Sequence, residues 1–275
     1  MFAKLKEKYR YSLILLRELV RTDFKVKYQD SALGYLWSAL RPLFLFAVMY
    51  IAFVKVMRVG ADIDHWPVAL LLGLVLWQFF GDIAKGNLKS IVSHGGLLRK
   101  LKFPRYIIVI SSSVSALITL AINIVVVAVF AVINQLPFTP NLLLVIPVIL
   151  LVFVFGLGVA FFLSAIYVKF RDIEHIWDIF MQGLFYGSAI IFPMSLVLRI
   201  NGIGTLLAQI LLMNPVSMAI QEIRHFAVNP VIPSLSSIAG ENWWLMALPL
   251  VITVLFFVAG VFFFKKRSPN FAEDV

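Results

Sequence analysis

The sequence is far too apolar for a soluble domain. Of its 275 residues, 61% are hydrophobic and only 14% are charged, with a formal net charge of +10, whereas soluble domains are about 45–50% apolar and about 25% charged. Intrinsic disorder is also excluded, because it requires low hydrophobicity. The composition therefore predicts an all-α membrane protein with several spans. Cysteine is absent, which excludes disulfides, thiolate metal sites and cysteine catalysis.

Residues 1–32 are predicted to form an amphipathic helix at the membrane surface. Residues 9–28 contain no Pro or Gly, and their apolar residues recur every three or four positions, which places them on one helical stripe. The adjacent flank carries the cations Arg10, Arg17, Arg21 and Lys25, where they would face anionic head groups. Two roles stay open for this helix: a topological anchor, or a surface that handles a phosphate-bearing lipid or transmits force from a cytoplasmic partner.

Six apolar runs are candidates to cross a hydrocarbon core about 30 Å thick. They cover residues 33–54, 67–81, 107–133, 142–168, 176–198 and 244–264. The second run is short and the third is long, and tilt or a broken helix would fit both lengths to one bilayer. Six crossings place both termini on the same side of the membrane.

The distribution of Lys and Arg predicts that this side is the cytoplasm. Segments 1–32, 82–106, 169–175 and 265–275 carry 19 of the 24 Lys and Arg residues. The opposite side carries four of them, namely Lys55, Arg58, Arg199 and Arg224. The basic charge is dispersed along membrane edges rather than concentrated in one domain, which argues against nucleic-acid binding.

The segment between the second and third predicted spans is the best candidate for a docking surface. Residues 85–105 alternate apolar residues with cations, and they predict short helices broken at Gly95 and Gly96 and stopped at Pro104. Such a segment fits a groove on a soluble partner while its ends stay at the membrane surface. The alternative is a loop whose charges serve topology alone.

Glycines and a short apolar stretch predict further architecture. Gly156 and Gly158 in the fourth predicted span, and the pair Gly183 and Gly187 in the fifth, predict close helix packing, with a dimer seam or channel wall as the alternative. Residues 203–213 are apolar but too short to span the membrane. We expect them to form a re-entrant or interfacial element on the outer side.

Motifs for catalysis and for ATP binding are missing from the sequence. The predicted spans are nearly free of carboxylates, whereas ion-coupled transporters usually carry ionisable groups in mid-membrane. The four histidines show no metal-ligand spacing, so no metal site is predicted. The phosphate-binding motif GxxxxGK[ST] is also absent, and any energy from ATP must therefore come from another subunit.

Four stretches of the sequence resemble the membrane subunits of ABC-2 type exporters of lipid-linked polysaccharides such as teichoic acid, O-antigen and rhamnose-rich glycans. They are residues 31–42, residues 97–105, residues 170–172 with Gln182 and residues 190–193, and residues 214–218. Each motif is loose alone, but the series covers nearly the whole chain in the expected order. The family often has a small residue or Asn where Arg41 stands, so this position departs from the pattern.

The resemblance implies a homodimeric permease in the plasma (inner) membrane, with both termini cytoplasmic. Residues 1–32 would form an interface helix and residues 33–275 the transmembrane domain. Each copy would pair with a cytoplasmic ABC ATPase that binds ATP and Mg²⁺, so this chain would need no cofactor and would not be an enzyme. The glycan would pass along the subunit interface while its undecaprenyl-type lipid crosses the bilayer.

The resemblance also assigns roles to three groups of residues. Coupling to the ATPase is expected at Asn87, His94, Leu97, Leu98, Arg99, Lys100, Phe103 and Arg105, with Arg171 and Asp172 as a second contact. The cationic flank of the N-terminal helix would guide the phosphate-bearing head group. Aromatic rings stack on sugars without holding one tightly, and the conduit candidates are Tyr35, Trp37, Trp77, Phe80, Tyr167 and Tyr186, together with Arg41.

Two other functions remain as alternatives. An ABC-2 exporter of drugs or small lipids would share the same architecture. A membrane transferase acting on polyprenyl lipids would need a positioned acid, base or nucleophile. The carboxylates and histidines of this sequence supply no convincing set for such chemistry.

Overall fold

The computed structural model of the chain describes residues 2–27, 34, 36–100, 103–137, 139–240 and 242–271. Throughout these residues the regular elements are helices. Tyr35, one of the predicted conduit residues, lies outside the described part of the chain.

The described helices follow one another with short connections. In chain order they are α1 (Phe2–Lys27), α2 (Leu36–Val56), α3 (Trp66–Leu88), α4 (Ser90–Ser93), α5 (Gly95–Lys100), α6 (Tyr106–Ile133), α7 (Val145–Tyr167), α8 (Ile173–Gly187), α9 (Met194–Leu198), α10 (Gly204–Met213), α11 (Pro215–Ala227), α12 (Leu235–Ala239) and α13 (Trp244–Arg267). The final part of α2, Tyr50–Val56, is π-helical, and single 3₁₀ turns precede α7 and follow α13.

The lengths of these helices confirm an all-helical, multi-pass membrane protein. Within the described residues, α2, α3, α6, α7 and α13 are each long and apolar enough to span a bilayer. The pair α10 and α11 passes the same test jointly but is bent by 107°. Asn214 is extended at the bend because a residue before proline avoids the helical conformation, and its side chain caps α11 by accepting a hydrogen bond from the Val216 amide at 3.0 Å.

The prediction of a continuous fifth span over residues 176–198 is wrong. The helix in this region, α8, ends at Gly187 and is about 22 Å long, and the chain then turns before the short α9. Within the turn Ala189 has a φ of +50°, a left-handed conformation that costs about 1–2 kcal/mol for a residue with a Cβ. The second span, by contrast, continues beyond its predicted end to Leu88.

Helices α7 and α13 cross in backbone contact. A Cβ atom on Gly158 would lie 2.6 Å from the backbone of Phe257, and one on Gly260 would lie 2.1 Å from the carbonyl oxygen of Gly158. The close packing predicted for Gly158 is therefore confirmed. The glycine pair of α8 differs, because a Cβ on Gly183 or Gly187 would have no neighbour within 4 Å among the described residues.

Helix α8 contacts both α3 and α7. Its first turns are joined to the end of α3 by the ion pairs Lys85–Asp178 and Lys89–Glu174, each at 2.7 Å. An apolar cavity of about 540 Å³ is lined by residues of α8 together with residues of α3, α7 and α13. None of the residues of α8 is buried within the chain.

Candidate functional site

Most of the predicted functional residues meet at one end of the bundle, which we call the basic end. It comprises the last turn of α3, the helices α4 and α5, the first turns of α6 and α8, and the part of α1 that packs on α6. At the opposite end Asp62, which follows α2, pairs with Arg199, which follows α9, at 2.8 Å. These contacts bring together segments that the charge distribution assigns to the same side of the membrane.

Asp23 of α1 joins three elements at the basic end. Its carboxylate accepts a hydrogen bond from Ser111 Oγ of α6 at 3.1 Å and lies 3.3 Å from Nε2 of His94, at the end of α4. Nδ1 of His94 lies 2.8 Å from the carbonyl oxygen of Ser90. The hydrogen bond to Asp23, with a smaller contribution from Ser90, raises the pKa of His94 above its usual value although partial burial opposes it.

The raised pKa of His94 predicts a pH-dependent link between α1 and α4. A histidine whose pKa is raised by folding stabilises the folded state fully below its unfolded pKa of about 6.5 and loses that contribution as the pH rises through the higher folded value. We expect the midpoint temperature of thermal unfolding to decrease as the pH rises above about 6.5. His94→Gln should remove the part of this decrease that comes from His94. The matched control is His175→Gln, at an exposed residue. An unchanged pH profile in the His94 variant would contradict the link.

Only part of the predicted docking segment is available to a partner. Among the predicted coupling residues, Arg99 and Lys100 of α5 are exposed, as are Arg171 and Asp172 before α8. The half-buried ones are His94, Leu97, Phe103 and Arg105. Asn87 and Leu98 are buried and do not belong to a docking surface in this structure. Asn87 instead joins α3 to α6 by donating a hydrogen bond to Ser113 Oγ at 2.9 Å, and Leu98 packs in the hydrophobic core.

The cationic flank of α1 is open in the structure. Arg10, Arg17, Arg21 and Lys25 are all exposed. On the other side of the helix Leu19 is buried in the main core, and this contact, with the hydrogen bond from Ser111 to Asp23, fixes α1 on α6.

The predicted conduit residues divide by burial. Trp37 and Arg41 of α2 and Tyr186 of α8 are exposed, and Trp77 is half-buried. Phe80 and Tyr167 are buried in the core, and the ring of Phe80 stacks on Phe155 with centroids 5.5 Å apart. Tyr167 therefore packs the chain in this structure, whereas Phe80 also lines the apolar cavity beside α8.

Sequence reasoning missed Arg224, which it counted as an ordinary cation of the outer side. The side chain is fully buried and stands over the ring of Trp66, with Cζ 4.9 Å from the centroid. Its Nε donates to the carbonyl of Ala69 at 2.9 Å, its Nη1 to that of Ala189 at 2.8 Å, and its Nη2 to that of Ile190. The guanidinium thus ties α11 to α3 and to the strained turn after α8, because its planar fork can serve three acceptors at once.

Comparison with known proteins establishes the family. Residues 14–226 match the ABC-2 type transporter family. The chain belongs to the ABC-2 type transporter family. The match runs from α1 to α11 and so includes Asp23, His94 and Arg224. Its relatives in this family are transport subunits.

Several relatives of this ABC-2 transporter have names that describe polysaccharide transport. It is 29% identical to an O-antigen export system permease protein RfbA of Klebsiella pneumoniae over 99% of both chains. It is 28% identical to a protein of the same name from Myxococcus xanthus over 100% of both chains. It is also 24% identical to the polysialic acid transport protein KpsM of Escherichia coli over 66% of this chain and 70% of that protein.

Proposed function

We propose that this ABC-2 transporter is the membrane-spanning permease subunit of an ATP-driven exporter of lipid-linked polysaccharide. The observation that carries the proposal is its similarity, over essentially full length, to O-antigen export permeases. The absence of a phosphate-binding GxxxxGK[ST] motif from the sequence supports an ATPase on a separate subunit. The substrate would be an O-antigen, teichoic acid or rhamnose-rich glycan on a polyprenyl phosphate or pyrophosphate.

In this proposal the basic end faces the cytoplasm and receives the ATPase. The excess of Lys and Arg in the segments that meet there supports this orientation. Arg99 and Lys100 of α5, with Arg171 and Asp172, would form the docking surface, since these residues are exposed. ATP and Mg²⁺ would bind to the partner, of which two copies would serve two copies of this chain.

The same proposal assigns roles to α1, to the bent pair α10 and α11, and to α8. Residues 1–32 would lie in the inner interface, with the exposed cations of α1 against lipid head groups, and residues 33–275 would form the transmembrane domain. The bend between α10 and α11 lines the same cavity as Phe80 and Phe155, whereas Arg224 of α11 contacts the start of α3. This geometry supports a re-entrant pair that enters and leaves on the outer side. The open glycine face of α8 would contact the second copy.

The docking surface is tested by charge reversal. We expect Arg99→Glu combined with Lys100→Glu to weaken assembly with a co-expressed ATPase about tenfold, because each reversed exposed contact is worth about 0.5–1 kcal/mol. Lys265→Glu combined with Lys266→Glu makes the same charge change at exposed residues in the last turn of α13 and should leave assembly intact. Equal loss in both double variants would contradict docking at α5.

The substrate class is tested in cells. Depletion of this chain should raise the amount of lipid-linked glycan retained inside, and re-expression should restore export. If retained lipid-linked glycan stays constant on depletion, the chain exports a drug or small lipid instead.

A further inference from the structure

A second cavity lies where α7 and α13 end, at the basic end of the bundle. It has a volume of about 310 Å³ and is walled by apolar side chains that include Phe162, Ala165, Phe263 and Phe271. The wall is built by ring contacts between the two helices, with the Phe162 and Phe263 centroids 5.0 Å apart. Because an apolar cavity does not hold ordered water, its natural occupant beside a bilayer is hydrocarbon.

Two cations from different helices border this cavity. Lys169 follows α7 and Arg267 ends α13, and both are exposed and line the cavity. Each is positioned by a ring, with Lys169 Nζ 5.6 Å from the Phe170 centroid and Arg267 Cζ 5.9 Å from that of Phe263. Neither takes part in an ion pair among the described residues.

The helix dipole alone does not account for this arrangement. Cations are favoured near the C-terminal end of any helix, and Lys265 and Lys266 meet that requirement on α13 without lining the cavity. Lys169 and Arg267 differ from them because they stand at the border of an apolar cavity, where a charge and an acyl chain of one molecule can be bound together. Basic pockets between transmembrane helices bind anionic lipid head groups for this reason.

We propose that this cavity is a binding site for an anionic phospholipid. One acyl chain occupies the cavity against the ring pair Phe162 and Phe263, and the phosphate group contacts Lys169 and Arg267. The site is separate from the cationic flank of α1 and does not depend on which substrate the transporter exports. It would tie the end of the last span to the segment that leads into α8.

The experiment measures lipid retention by the purified full-length permease. Native mass spectrometry counts phosphatidylglycerol against phosphatidylcholine retained from mixed nanodiscs, and thermal unfolding follows the stabilisation by each lipid. We expect the wild-type chain to retain phosphatidylglycerol preferentially. Lys169→Ser combined with Arg267→Ser should reduce that preference about thirtyfold, since each basic residue near an anionic surface contributes about fivefold.

Two further variants separate the site from general attraction to an anionic bilayer. Lys265→Ser combined with Lys266→Ser removes the same charge beside the cavity and should keep the preference. Ala165→Leu fills the cavity while both cations remain, and it should lose the retained phospholipid. Equal loss of preference in the two double-Ser variants, or full retention in Ala165→Leu, would overturn the proposal.

The C-terminal residues of the chain supply the competing occupant. Glu273 and Asp274 follow Phe271 closely in the sequence, and their carboxylates would be the alternative partners for the two cations. If the wild-type chain shows no preference for phosphatidylglycerol and Glu273→Gln combined with Asp274→Asn creates one, the cations serve the end of the chain and the lipid site is overturned.

Discussion

Replacement of Arg224 by Met is expected to destabilise the folded permease strongly. Met fills much of the same volume but cannot donate, so the turn carbonyls of Ala189 and Ile190 lose the hydrogen bonds that Arg224 makes to them. Leaving buried acceptors without partners costs about 1–3 kcal/mol for each group, and the left-handed Ala189 loses the contact that holds it. We expect a loss of about 3 kcal/mol, seen as a lower midpoint of thermal unfolding, together with loss of transport.

Two other variants make the Arg224 experiment specific. Arg224→Lys keeps the charge but has no planar fork, so it should recover only part of the stability. Arg199→Met removes an exposed arginine whose ion pair with Asp62 is open to solvent, and it should change stability by less than about 1 kcal/mol. If Arg224→Met unfolds at the wild-type midpoint, the guanidinium does not stabilise the turn after α8.

Replacement of Gly260 by Ala should force α7 and α13 apart. The added Cβ would meet the carbonyl oxygen of Gly158, and a backbone atom cannot move aside as the end of a side chain can. Overpacking typically costs about 1–3 kcal/mol, and we expect the upper part of that range for this contact. The measurement is the thermal unfolding midpoint of the purified chain, supported by the yield of folded protein.

Gly183→Ala is the matched control, and its expected effect on stability has the opposite sign to that of Gly260→Ala. No atom of the described residues lies within 4 Å of a Cβ at this position of α8, and Ala stabilises a helix interior by about 0.5–1 kcal/mol relative to Gly. In the single chain the unfolding midpoint should therefore stay constant or rise, whereas a loss confined to the assembled transporter would place Gly183 at the contact with the second copy. A similar loss in the Gly260 and Gly183 variants would contradict backbone contact between α7 and α13 as the cause.

The spans were predictable from the sequence because hydropathy over about 20 residues records burial in lipid directly. The contact at Gly158 was predictable for a related reason, since glycine in a span commonly marks a close helix approach. The position of the break in the fifth span was not predictable, although Pro193 indicates that the run is not one straight helix. Residues 188–193 are as apolar as the helix before them, and the turn depends on Arg224, which is distant in sequence.

The roles of individual side chains were harder to predict from the sequence than the spans. The partners of Arg224 are three backbone carbonyls. Because every residue has a carbonyl, the sequence does not indicate which of them accept these hydrogen bonds. Gly73 was the available signal, because a Cβ there would lie 2.6 Å from Nη2 of Arg224, but a glycine does not identify its neighbour. Asn87 and Leu98 were assigned to docking from their segment alone, and their burial follows from contacts that the sequence does not contain.

The two ends of α8 are held by bonds of very different strength. At its beginning, two ion pairs with exposed lysines join it to α3, and such solvent-screened pairs contribute little to stability. At its end, the following turn is fixed by a buried guanidinium. The cavity beside α7 and α13 leaves room for sideways displacement. A force applied at the basic end would therefore meet weaker polar restraint at the first turns of α8 than at its Gly187 end.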